Sequence, residues 1–145
     1  MRVTTKGRYA LRAITNLALA GSDRPVPIKV IAGDEGISPE FLEQIFFRLK
    51  KAGIINSVRG PGGGFTLERN PADITVKEIF EAVGEGLEIT PCTGDDDCER
   101  QENCLVRDVW KDASDHIVGY FERLTLERVI DISRERSLDS VISGS

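Results

Sequence analysis

The run Ile54-Ile55-Asn56-Ser57-Val58-Arg59-Gly60-Pro61-Gly62-Gly63-Gly64-Phe65-Thr66-Leu67 separates two readings of the residues before it. Ile54–Val58 is a strand by composition, Arg59–Gly64 is a glycine-rich tip, and Phe65–Leu67 returns as a second strand. Upstream, Ile28, Ile31 and Ala32 share one face of a short helix over Ile28–Glu35, which Gly36 ends. Ser38 supplies an N-cap and Pro39 takes the first helical position, where its missing N–H costs nothing. Leu42, Ile45, Phe46 and Leu49 then recur at i, i+3, i+4 and i+7 through Phe41–Ala52. Two short helices joined by a tight Gly turn form either an ordinary αα-hairpin or a helix-turn-helix, and those residues alone leave the choice even. A hairpin directly behind them selects a winged helix-turn-helix. The glycines are not a nucleotide-phosphate loop, because no Gly-Lys-Ser/Thr follows and no helix begins after them.

Before this unit, Thr5–Ala20 reads as a helix, with Leu11, Ile14, Leu17 and Ala18 at helical spacing and Gly21 as its stop. After it, Asn70-Pro71 breaks the chain, and Thr75-Val76-Lys77-Glu78 is a capping box that opens a helix running to Val83. From Cys104 a helix of about 21 residues, roughly 30 Å long, keeps an apolar stripe at the 3.6 period. That stripe is wide for so small a core. Val109, Trp110, Ala113, Ile117, Tyr120, Phe121 and Leu124 are therefore expected to pair in part with a second copy, giving a homodimer. Thr125–Ile132 reads as a short helix and Arg134–Ser145 as disordered. The expected fold is mainly α with a small β wing. A winged helix-turn-helix fills residues 1–72, a sensor loop and long dimerisation helix 73–132, and a tail 133–145.

The 145 residues are 40% hydrophobic and 30% charged, values of one globular domain or a domain with an appendage. The first residues hold no apolar leader, and no apolar run approaches the roughly 20 residues that span a bilayer. The chain reads as cytoplasmic, with no membrane partner. Its net charge of −5 hides an asymmetry, since residues 1–70 carry +5 and residues 71–145 carry −10. A basic first half fits contact with double-stranded DNA, because phosphate contacts are local. An enzyme is not expected. There is no pairing of a nucleophile with a base, and His116 is the only histidine.

All three cysteines lie in Cys92-Thr93-Gly94-Asp95-Asp96-Asp97-Cys98-Glu99-Arg100-Gln101-Glu102-Asn103-Cys104, five residues apart each time. A stretch this polar buries little surface, and thiolates on a metal centre would order it. An odd number of cysteines argues against a secreted disulfide framework. Structural zinc sites use closer pairs, two to four residues apart, whereas wider gaps allow a cage such as a two-iron cluster. By spacing alone iron–sulfur, zinc and metal-free redox thiols all stay open. The run Asp95–Asp97 is most simply a solvated loop.

Ser38 and Gln44 can reach base edges, glutamine pairing well with adenine. Arg48, Lys50 and Lys51, with Lys6 and Arg8 at the start of the first helix, are expected at phosphates. Arg59, beside Gly60 at the wing tip, suits a narrow minor groove. Any single cation here is more commonly a solvated surface charge, and only their clustering raises the expectation. Phe47, a large apolar side chain on the same face, has no place in that scheme.

From Met1 to about Ile130 the chain resembles the winged-helix iron–sulfur cluster regulator family, the IscR type. The matching stretches are Thr5-Lys6-Gly7-Arg8-Tyr9-Ala10, Gly36-Ile37-Ser38, Leu42-Glu43-Gln44, Val58-Arg59-Gly60-Pro61-Gly62-Gly63-Gly64, and the three cysteines followed by Trp110. The resemblance implies a homodimeric DNA-binding regulator, usually a repressor of its own operon, that controls cluster-assembly genes. It also implies a [2Fe–2S] cluster on Cys92, Cys98 and Cys104, with cluster-assembly proteins as partners. In that family a histidine three residues after the last cysteine often completes the site. Here the position is Arg107, which stays protonated and cannot be a ligand. Asp108, at i+4 from Cys104, and Glu43, on the recognition helix, are the fourth-ligand candidates, ahead of the distant His116. Glu43 could instead discriminate bases by accepting from cytosine N4. Two alternatives stand beside this reading. One is a regulator of the same fold whose thiols sense nitric oxide or redox state, and the other is a cluster carrier or electron-transfer protein.

Overall fold

In the computed structural model, which describes residues 3–21, 24–87 and 105–143, the wing and the helices before it build one core. Helix α1 (Thr5–Leu19) turns Ala10, Ala13, Ile14 and Leu17 inward. Helix α2 (Ile28–Glu35) adds Ile31 and Ala32 and ends at Gly36 in the left-handed conformation (φ +66°). Helix α3 (Pro39–Lys51) crosses them with Leu42, Ile45, Phe46 and Leu49 buried. Its start is fixed locally, because Ser38 Oγ accepts from the Phe41 N–H at 3.2 Å with Pro39 in the first turn. Replacing Ser38 by alanine should cost about 1 kcal/mol of stability. Thermal unfolding of S38A against wild type measures it, and an unchanged midpoint would show that the cap contributes nothing.

The wing is an antiparallel pair, β1 (Ile55–Val58) with β2 (Gly64–Leu67), in the register Ile55↔Leu67 to Val58↔Gly64. Its base is pinned to the segment before α2, where Val26 N–H donates to Phe65 O and Phe65 N–H to Val26 O, both at 2.9 Å. Gly64 permits that approach. Its φ is +152°, and a Cβ there would stand 2.4 Å from the Val26 carbonyl. The Phe65 ring meets Phe46 edge-on, centroids 4.9 Å apart, so the wing is packed directly on α3.

Helix α4 (Val76–Ala82) opens with the expected capping box, Thr75 Oγ1 accepting from Glu78 N–H and Glu78 accepting from Thr75 N–H, both at 3.1 Å. Ile79 and Val83 then join Ile14 and Leu49 in the main core, together with Leu126 and Ile130 from α6 (Leu126–Ser143). That core therefore crosses residue 72, where the sequence suggested a boundary. A second cluster, Val76, Phe80 and Leu87, packs on α5 (Arg107–Arg123).

One expectation needs correction. The short helix ending at Ile132 runs on to Ser143, through most of the tail expected to be disordered. Arg134, Glu135 and Arg136 favour helix, and Arg128 pairs with Glu135 at 3.3 Å two turns along. Phe121 and Leu124, expected at the interface between copies, pack in the chain's own second cluster, with Phe121 edge-on to Phe80 at 5.2 Å. A helical period reveals the stripe but not what covers each part of it.

Candidate nucleic-acid interface

With Leu42, Ile45, Phe46 and Leu49 turned inward, α3 presents Glu40, Glu43, Gln44, Phe47, Arg48 and Lys51 outward, all exposed. The expected base-reading residues Ser38 and Gln44 are on this open side. The Ser38 hydroxyl accepts in the cap and keeps its own proton to donate. Arg59 is exposed at the wing tip, and Gly60 beside it has φ +95°.

The expected phosphate contacts divide. Lys51 and Arg8 are exposed, with Arg8 Nη2 also donating to Thr5 Oγ1 at 3.2 Å. Lys50 Nζ donates to Ser57 Oγ at 2.7 Å, tying α3 to β1. Arg48 Nη1 donates to the Val83 carbonyl at 3.3 Å, tying α3 to the end of α4. Each keeps further donors, since ammonium has three N–H groups and guanidinium five. Arg48 and Lys50 thus brace the recognition helix as well as facing outward, and no local pattern in the sequence announces either tether. Phe47 is 69% exposed beside a groove of about 600 Å³ bordered by Gln44, Arg48, Lys51 and Ala82.

The stretch carrying Cys92, Cys98 and Cys104 lies outside the described residues. Among the described residues no three metal-binding side chains come together. Asp108 is exposed in the first turn of α5, where a carboxylate also suits the positive end of the helix. Glu43 is exposed on α3. His116 is 81% exposed on α5 and paired at i+4 with Asp112, 3.7 Å away, as expected of a surface histidine. Val109, Trp110 and Tyr120 form an exposed apolar side of α5, while Ala113 and Ile117 are half-buried. No helix among the described residues is long and apolar enough to cross a membrane.

One buried group escaped the sequence reading altogether. Glu85, 7% exposed just after α4, accepts from Thr4, 81 residues away. Such a separation leaves no local signal.

Comparison with known proteins agrees with this architecture. The family model Rrf2, described as an iron-dependent transcriptional regulator, matches residues 3–132. The HTH-type transcriptional regulator IscR of Photorhabdus laumondii is 42% identical over 131 residues, covering 90% of this chain and 80% of that protein. The protein of the same name from Escherichia coli K12 is 41% identical over 139 residues, covering 92% and 86%. Among solved structures, T. potens IscR superposes with a TM-score of 0.77 at 31% identity, over 94% of this chain and 90% of that one. CymR, the global cysteine regulator of B. subtilis, superposes with a TM-score of 0.80 at 27% identity, over 91% and 98%. These relatives are regulators of transcription and not enzymes. The family match spans residues 3–132, from the first described residue through the helix-turn-helix, the wing and α5 into α6, and the chain belongs to the Rrf2 family of transcriptional regulators.

Proposed function

We propose that the chain binds double-stranded DNA as a homodimer and that a [2Fe–2S] cluster on Cys92, Cys98 and Cys104 sets which operators it occupies. On this reading it acts mainly as a repressor of cluster-assembly genes. The observation that carries the DNA reading is the open polar face of α3, braced beside a wing that ends in exposed Arg59. The exposed apolar side of α5 supports a second copy. Val109, Trp110 and Tyr120 stand uncovered within one chain, and a helix-turn-helix protein normally reads two half-sites.

The donor set fits an iron–sulfur cluster. Three thiols are soft ligands, and an exposed carboxylate, Asp108 or Glu43, completes the set. When bound, the cluster supplies a redox-sensitive centre whose presence or loss is the signal. Ligation by Glu43 would tie that signal to the position of the recognition helix itself. Without it, Glu43 screens bases at the groove.

The test is the visible spectrum of anaerobically purified protein, with iron and acid-labile sulfide counted. A red-brown protein with about two irons and two sulfides per chain is expected. A protein that stays colourless after reconstitution with iron and sulfide would overturn the cluster reading and leave zinc or bare thiols. Glu43→Ala and Asp108→Ala, made separately, then assign the fourth ligand. The ligand's variant should shift the absorption bands, and unchanged spectra in both would remove both candidates.

A further inference from the structure

The chain leaves α4 through Val83-Gly84-Glu85, and this turn touches both elements expected on DNA. Arg48 from α3 reaches the Val83 carbonyl. Glu85 reaches the start of α1, accepting from Thr4 N–H at 2.8 Å through Oε1 and from the Thr4 hydroxyl through Oε2. Thr4 is the N-cap residue of α1, and its own side chain caps nothing. A carboxylate from the far end of the core thus holds the first turn in place. The fit is close. A Cβ at Gly7 would stand 2.6 Å from Glu85 Oε2, so a side chain there would displace the carboxylate. Lys6 borders the same turn, its Nζ 3.5 Å from where a Cβ of Gly84 would lie.

Glu85 is 7% exposed, and the two bonds to Thr4 are what partner its carboxylate there. We propose that Glu85 is a positioning residue for DNA binding. By holding Thr4 and lying against Gly7 it fixes the first turn of α1, so that Lys6 and Arg8 meet phosphates while α3 is seated at the bases. This rests on the DNA reading above and needs no statement about the cluster.

The test is equilibrium binding of the full chain to its tightest-binding duplex from a random pool, read by fluorescence anisotropy as salt is raised. Glu85→Ala should weaken binding roughly 5- to 20-fold and lower the salt slope by about 1 to 2, the loss of one or two phosphate contacts. Discrimination against a mismatched duplex should be unchanged, since base contacts are made elsewhere. Gly7→Ala should give the same loss by displacing the carboxylate, although alanine is the better helix former. Glu85→Gln, which keeps an oxygen for Thr4 N–H, should retain most of the affinity. In a Lys6→Ala, Arg8→Ala background, Glu85→Ala should add less than about twofold, because coupled residues are not additive. A merely structural role would lower the unfolding midpoint while leaving the salt slope at the wild-type value, and that result overturns the proposal. So does a loss that adds in full to the Lys6 and Arg8 variants. Should Glu85→Ala not fold, Gly7→Ala and Glu85→Gln carry the same comparison. A wild-type chain that binds no duplex sinks the DNA reading, and the proposal falls with it.

Discussion

Phe46→Ala should destabilise the fold by about 3–5 kcal/mol, the range for truncating a buried phenylalanine. Phe46 is 1% exposed, among the largest fully buried side chains of the core. It packs on both sides of the reading unit. Along α3 it lies with Leu42, Ile45 and Leu49, and across the wing it meets Phe65 edge-on with rings inclined at 73°. Truncation therefore removes apolar contact and also an aromatic pair worth about 0.5–1.5 kcal/mol beyond its area. At this chain length the unfolding midpoint should fall by roughly 10 °C or more. Phe46→Leu, which refills most of the space, should cost distinctly less. A drop below about 1 kcal/mol for Phe46→Ala would mean that the wing is not packed on α3 as described. Since the wing positions Arg59, duplex affinity should fall with stability in this variant, and partial recovery in Phe46→Leu would link the two.

Serine at Cys92, Cys98 and Cys104 together should abolish the visible absorption and leave iron below roughly a tenth of the wild-type content, because thiolate ligation is lost. The same variant should keep the unfolding midpoint of cluster-free wild type, since that form has no iron–thiolate bonds to lose. It should still bind duplex DNA, with the operator preference of the cluster-free form. A triple variant that remains red-brown would place the iron elsewhere. One that binds DNA with the preference of loaded wild type would separate the cysteines from operator choice.

The helix-turn-helix and the wing were legible because their determinants are local. Ser38 and Pro39 fix the start of α3 within one turn, Thr75 and Glu78 do the same for α4, and the glycine run can only be a tip. What was not legible depends on partners far along the chain. The bonds of Arg48 to Val83 and of Glu85 to Thr4 join residues 35 and 81 apart. Phe121 and Leu124 belong to one apolar stripe with Trp110, and only packing shows that the stripe divides between the chain's own core and an open face. The extension of α6 to Ser143 was hidden by composition. Residues Arg134–Arg136 are polar yet favour helix, and the serines around them masked the helical spacing of Leu138, Val141 and Ile142 beyond. Arg48, Lys50, Lys51 and Arg59 are all exposed, and Arg48 and Lys50 are braces as well, which no local pattern showed.

The same fold serves relatives titled for different signals. It superposes well both on a protein titled a global cysteine regulator and on one titled IscR. The likeness to IscR-type regulators, together with three thiols at Cys92, Cys98 and Cys104, is what argues for a cluster here. The most direct measurement is therefore a binding selection from one random duplex pool, run anaerobically with cluster-loaded and with cluster-free wild-type protein. The expected result is two different enriched sequences, each bound about tenfold or more tightly by its own form, a difference of roughly 1.4 kcal/mol. The same enriched sequence with the same affinity in both forms would contradict control of operator choice by the cluster.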